Sequence, residues 1–174
     1  MKRKLFIYLT LMLLQGSFLH GQTTVPDTCI AVDTLISESM KYLGIPYRWA
    51  GKTPKGFDCA GFTRYIYGKF GVTLAPSANG QYRMCTRVPD DSLKVGDLVF
   101  YGGRKNTKSV GHVGLITEVY DDGTFRFIHS STQSGICITF SKEAYYTKRY
   151  IGACRIIRCD DPPKENEEEE KADF

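Results

Sequence analysis

The stretch VGHVGLITEVYDDGTFRFIHSS, residues 110–131, decides the fold. Apolar and small residues alternate on both sides of Asp122-Gly123, a dipeptide suited to the positive-φ positions of a tight hairpin turn. Two strands joined in this way are antiparallel. Alternation puts His112, Gly114 and Ile116 on one face of the first strand, and Phe125, Phe127 and His129 on one face of the second. Gly114 lets another backbone or a helix approach closely beside His112. A two-residue turn would pair Asp121 with Thr124 and set His129 opposite Ile116. His112 would then lie four residues further along, about 13 Å away at ~3.3 Å per residue, beyond hydrogen-bonding reach. If the two rings act together, an irregular connection over roughly 117–124 must shift the register and bring His112 opposite His129. A shift by an even number of residues preserves the faces.

Outward from this hairpin the chain reads as helices first and strands after. Val32, Leu35, Ile36, Met40 and Leu43 fall at helical spacing, and Gly44 ends that helix. A loop follows through Tyr47-Arg48-Trp49-Ala50-Gly51 to Gly56. A second helix runs from about Cys59 to Phe70, with Phe62, Ile66 and Phe70 on one stripe and Gly71 after it. A third covers about Ser77 to Met84. Strand-type runs then occupy Asp97–Tyr101, His112–Tyr120, Thr124–Ser130, Ile136–Thr139 and Tyr150–Ile157. This order predicts an α+β domain and disfavours an alternating parallel sheet.

The 174 residues are 42% hydrophobic, too apolar for a disordered chain, and no apolar run reaches the ~18 residues of a membrane span. The net charge of +4 conceals an uneven distribution. Lys2, Arg3 and Lys4 precede a ten-residue apolar stretch, Leu5 to Leu14, and a small residue, Gly21. This is the pattern of a secretory signal peptide over 1–21. Cys29 lacks the flanking residues of a lipid-anchor site. Residues 160–174 hold eight acidic residues against Lys164 and Lys171 and are expected to form a disordered acidic tail. Between leader and tail, residues 22–159 form one domain of 138 residues, enough for a single core. That part is basic, which favours anionic partners such as carboxylate-rich wall polymer, nucleic acid or acidic lipid.

Six cysteines in an exported chain could form up to three disulfides. Cys59 stands apart, because Asp58 before it is a good helix N-cap. In the first helical turn, unbonded amides and the positive end of the dipole favour thiolate over thiol. The bland alternative is a structural or disulfide-bonded cysteine. His112 and His129 are the only histidines outside the leader, and either alone is best read as a core residue. Taken with Cys59, two strand histidines expected to face the Cys-bearing helix are the parts of a Cys–His nucleophile pair with an orienting group. Two histidines without ligand spacing build no usual zinc site, so no metal is expected, and chelation should leave turnover intact.

The runs Tyr47-Arg48-Trp49-Ala50-Gly51, Gly56-Phe57-Asp58-Cys59-Ala60-Gly61-Phe62, Gly96-Asp97-Leu98-Val99-Phe100, Gly111-His112-Val113-Gly114 and Ile128-His129-Ser130-Ser131 together resemble the NlpC family of papain-like peptidoglycan endopeptidases. The resemblance covers about Val32 to Ile157. It implies a circularly rearranged papain-like fold, with the nucleophile helix packed on an antiparallel β-sheet, and hydrolysis of peptide bonds in cell-wall stem peptides without a cofactor. By position, Cys59 matches the nucleophile, His112 the base and His129 the polar third member. Tyr47 matches a tyrosine whose hydroxyl reaches the site, and Asp58 an acidic residue near the substrate amine. Ala60 departs from the usual Ser after the nucleophile, which bears on specificity rather than catalysis. The resemblance further implies a monomer acting in the periplasm or cell envelope, or secreted, with no nucleic-acid partner and no membrane span after processing. Two other readings remain open at this point: a catalytically inactive wall-binding module with Cys59 in a disulfide, and an amidase or acyltransferase on the same fold.

Overall fold

In the computed structural model, residues 30–156 are described; the segments expected to be a leader and an acidic tail, with Cys29 and Cys159, lie outside them. Helix α1 (Val32–Met40) precedes a small hairpin of β1 (Lys52–Thr53) and β2 (Gly56–Phe57). Helices α2 (Cys59–Gly68) and α3 (Ala78–Met84) follow, then strands β3 (Thr86–Val88), β4 (Leu98–Gly102), β5 (Val110–Val119), β6 (Phe125–Ser131) and β7 (Gly135–Phe140), helix α4 (Ala144–Thr147) and strand β8 (Tyr150–Arg155). The strands form one antiparallel sheet in the order β3-β8-β4-β5-β6-β7. The expected α+β order is therefore observed. The three expected helices and five expected strands are all present, with ends moved by a few residues. The β1–β2 hairpin, β3 and α4 were not anticipated, because two to four residues are too few to show a periodicity.

Local chemistry sets the helix ends. Asp58 Oδ1 accepts the Gly61 amide at 2.6 Å and starts α2. Gly71, at φ +79°, follows its end. Ser77 caps α3 through the Gly80 amide at 3.1 Å. The Cys85–Cys154 disulfide joins the end of α3 to β8, while Cys59 and Cys137 are free.

Both faces of the sheet are covered. On one face, Leu98, Phe100, Val113, Leu115 and Ile128 pack with Leu35, Phe62 and Ile66 from the helices. On the other, Val99, Tyr101, Ile116, Phe125 and Phe127 pack beneath Tyr146 and Tyr150. Double coverage explains why β4 is buried at five consecutive residues and reads as a continuous apolar run.

The hairpin between the histidine strands turns over three residues. Tyr120 N–H donates to Thr124 O at 2.8 Å, Gly123 N–H donates to Tyr120 O at 2.9 Å, and Gly123 sits at φ +76°. Val119 faces Phe125 and Glu118 faces Arg126, but a bulge at Thr117 brings Ile116 opposite Phe127 and Leu115 opposite Ile128. The irregularity lies within the expected segment, but the shift is two residues rather than four. Continued one step, this register sets Gly114 opposite His129, with His112 on the diagonal.

Candidate active site

The two histidine rings meet across that diagonal. His112 Nε2 lies 3.0 Å from His129 Nδ1, and the rings are nearly perpendicular. Diagonal neighbours sit about 7–8 Å apart at Cα, within reach of aromatic side chains. Gly114 makes the crossing possible: a Cβ there would sit 2.6 Å from Phe127 Cδ2 and 3.3 Å from His129 Cβ. The close approach that this glycine allows is of a neighbouring strand's side chains, not of a helix.

Contrary to the expectation that both histidines face the body of the Cys helix, alternation places them on the far face of the sheet. Val113 and Leu115 take the helix side because they are the apolar members of that strand segment. His112 stacks instead near Tyr101 (6.2 Å between centroids) and Tyr146 (6.2 Å). Cys59 approaches from the helix side. It opens α2 and packs against the helix-side core, and the backbone amide of Val113, next to His112, lies near enough to favour its thiolate.

Burial dominates the electrostatics. It pushes the Cys59 thiol up to about 11, with Asp58 acting in the same direction, although the Val113, Ala60 and Cys59 amides pull it down. The expected helix-terminal stabilisation of thiolate is therefore present but outweighed. Burial also pushes His112 down to about 4. His129, fully buried, is pushed down to about 3 by burial and then by His112. These shifts all favour a thiol and two neutral imidazoles in the resting site at neutral pH.

Tyr47 and Asp58 both belong to this locale. Tyr47 bridges to Phe57, and its hydroxyl is raised by burial, then by Cys59 and Asp58. Asp58 spends one carboxylate oxygen on the Gly61 amide. Ser130 Oγ donates to Phe57 O at 2.8 Å, tying β6 to the residue before Asp58.

Three residues that sequence reasoning missed surround the far nitrogen of His129. Thr139 Oγ1 lies 2.9 Å from Nε2, the Tyr146 hydroxyl 3.3 Å and Cys137 Sγ 3.7 Å. Strand alternation would have put Cys137 and Thr139 on one face of β7, but only the β6–β7 register aligns that face with His129. Among the described residues, no three of His, Cys, Asp and Glu converge as metal ligands.

The match to the NlpC/P60 family model covers residues 44–155. The chain is 36% identical over 126 residues to a gamma-DL-glutamyl hydrolase of Bacillus subtilis, covering 71% of this chain and 30% of that protein. It is 33% identical over 124 residues to murein DD-endopeptidase MepS/murein LD-carboxypeptidase of Escherichia coli, covering 71% of this chain and 62% of that one. The chain thus spans between about a third and three fifths of these relatives' lengths. A crystal structure of an NlpC/P60 family protein from Bacillus cereus superposes with a TM-score of 0.65 at 34% identity, covering 73% of this chain and 40% of that one. The matched segment contains Tyr47, Asp58, Cys59, His112 and His129, and the chain belongs to the NlpC/P60 family.

Proposed function

We propose that this protein is an exported cysteine endopeptidase that cuts peptide bonds in the stem peptides or cross-links of peptidoglycan. The observation that carries the reading is the paired His112–His129 unit, with the helix-borne Cys59 close to the amide of Val113, the residue after His112. The names of the relatives, a gamma-DL-glutamyl hydrolase and a murein DD-endopeptidase, support the substrate class. Residues 22–159 are the catalytic domain, following the leader and preceding the acidic tail.

With His112 Nε2 engaged by His129, Nδ1 is the nitrogen left to take the Cys59 proton. That transfer accompanies attack of sulfur on the scissile carbonyl, because the resting pair is neutral. The Cys59 N–H and the Tyr47 hydroxyl stabilise the oxyanion. His112 then returns the proton to the departing amine, and water hydrolyses the thioester to free acid and thiol. The second oxygen of Asp58 is available to the substrate's amino group.

Full-length protein incubated with defined muropeptides, with products read by mass, tests this reading. Wild type is expected to release peptide fragments, and folded Cys59→Ala none. Hydrolysis retained by folded Cys59→Ala overturns the mechanism, and binding without hydrolysis by wild type makes the protein a wall-binding module.

A further inference from the structure

His129 is fully buried, and both of its ring nitrogens have partners, Nδ1 in His112 and Nε2 in Thr139. A neutral imidazole carries one proton, so its two nitrogens cannot both donate. The Ser130 carbonyl is a further acceptor beside the His129 ring, and two arrangements satisfy the side-chain contacts. In the first, His112 Nε2–H donates to His129 Nδ1, and His129 Nε2–H donates to Thr139 Oγ1. Nδ1 of His112 is then bare and can accept a proton. In the second, a hydroxyl donates to His129 Nε2, His129 Nδ1–H donates to His112 Nε2, and the His112 proton sits on Nδ1. In that arrangement His112 is no base.

The side chain that accepts from His129 Nε2 therefore sets the state of His112, two rings away. Thr139 makes the shortest contact, at 2.9 Å against 3.3 Å for the Tyr146 hydroxyl and 3.7 Å for Cys137 Sγ. It is buried in β7, directly opposite Phe127, and its β-branched side chain is stiff at χ1. As an acceptor it can pass its own proton onward, since the Tyr146 oxygen and Cys137 Sγ are both its hydrogen-bond partners. Tyr146 is the natural competitor, because a phenol donating to His129 Nε2 would impose the second arrangement.

We propose that Thr139 is a positioning residue: its hydroxyl accepts from His129 Nε2–H and, through His129, keeps Nδ1 of His112 unprotonated beside Cys59. The tautomer assignment stands by itself, whereas its consequence for turnover rests on the peptidase reading above. The ionisable groups around the pair are Tyr101 on β4, Cys59 on α2, Cys137 on β7 and Tyr146 on α4, with Glu143 acting on Cys137 and Tyr146.

Imidazole 15N NMR of full-length protein at neutral pH tests the assignment without any substrate. Wild type is expected to show both His112 and His129 protonated at Nε2. Thr139→Val, which leaves Tyr146 to donate, is expected to move both protons to Nδ1; Thr139→Ser and Thr139→Val/Tyr146→Phe are expected to move them less. On a soluble muropeptide, Thr139→Val should lose about 10²-fold in kcat, the low end of general-base effects, with KM nearly unchanged and Thr139→Ser restoring turnover. Wild-type His129 protonated at Nδ1, or a folded Thr139→Val with wild-type tautomers, overturns the proposal. Wild-type protein that shows the expected tautomers but cleaves no wall peptide overturns the peptidase reading instead.

Discussion

At the scale of single residues, Cys59 and His112 are half-buried and His129 fully buried, and desolvation is the largest influence on the protonation of each. As the proposed base, His112 must be neutral to accept a proton. Held near 4 rather than 6.5, it should keep kcat/KM on a soluble muropeptide flat until the pH falls to about 4. An acid limb centred near 6.5 would show that burial does not govern this ring. The same shifts link pH to stability. The unfolded chain binds protons on both histidines as pH drops below about 6.5, while the folded chain does not until about 4 and about 3. Stability is therefore intact above 6.5 and falls on acidification, at up to about 1.4 kcal/mol per pH unit for each ring. Urea titrations between pH 7 and 4.5 should show this slope in wild type and roughly half of it in His129→Asn. Residue type and spacing singled out all three in the sequence, and the fold pairs the two rings. Their ionisation was not legible there, because desolvation depends on what the fold stacks around them.

At the scale of elements, the histidine hairpin shows how little register information a turn dipeptide carries. Asp122-Gly123 does lie in the turn, but the loop takes three residues and Thr117 bulges, so His129 falls level with Gly114. The even shift kept both histidines on one face, which alternation alone had indicated. The absence of a side chain at Gly114 then allows the diagonal contact. Gly114→Ala would press a methyl group against Phe127 and His129 Cβ and push the rings apart. We expect a folded protein with activity reduced by about 10²-fold or more, the cost of losing an aligned general base. Muropeptide kinetics together with the His112 and His129 ring signals would check this, and wild-type activity in Gly114→Ala would contradict the diagonal pairing.

At the scale of the molecule, the site depends on a sheet whose strands are tied at their ends. The Asp97 carboxylate is fully buried and receives Arg155 Nε at 2.7 Å and Nη2 at 2.8 Å, with the Lys94 amide at 2.8 Å. This fork pins the start of β4, which carries Tyr101 beneath His112, to β8. Removing one partner of such a buried pair typically costs about 3–5 kcal/mol, because the other charge is left uncompensated. Arg155→Leu is therefore expected to lower the urea midpoint markedly without changing the products of hydrolysis. Thermal or urea unfolding measures the first and product masses the second. An unchanged midpoint would mean that the Arg155–Asp97 fork does not stabilise the fold.

The sequence by itself determined the α+β order, the helix that begins at Asp58 and Cys59, the shared face of His112 and His129, and the family. These follow from residue spacing, capping chemistry and motif order, all of which are local along the chain. Only the tertiary structure decided the remainder. It put the histidines on the sheet face away from the helices, because Val113, Leu115 and Ile128 compete for the helix-side core. It set the two-residue register shift, brought Thr139 and Tyr146 to His129, and desolvated the thiol and the rings. Each of these depends on groups distant in sequence meeting at one point, and no local pattern records which groups those will be.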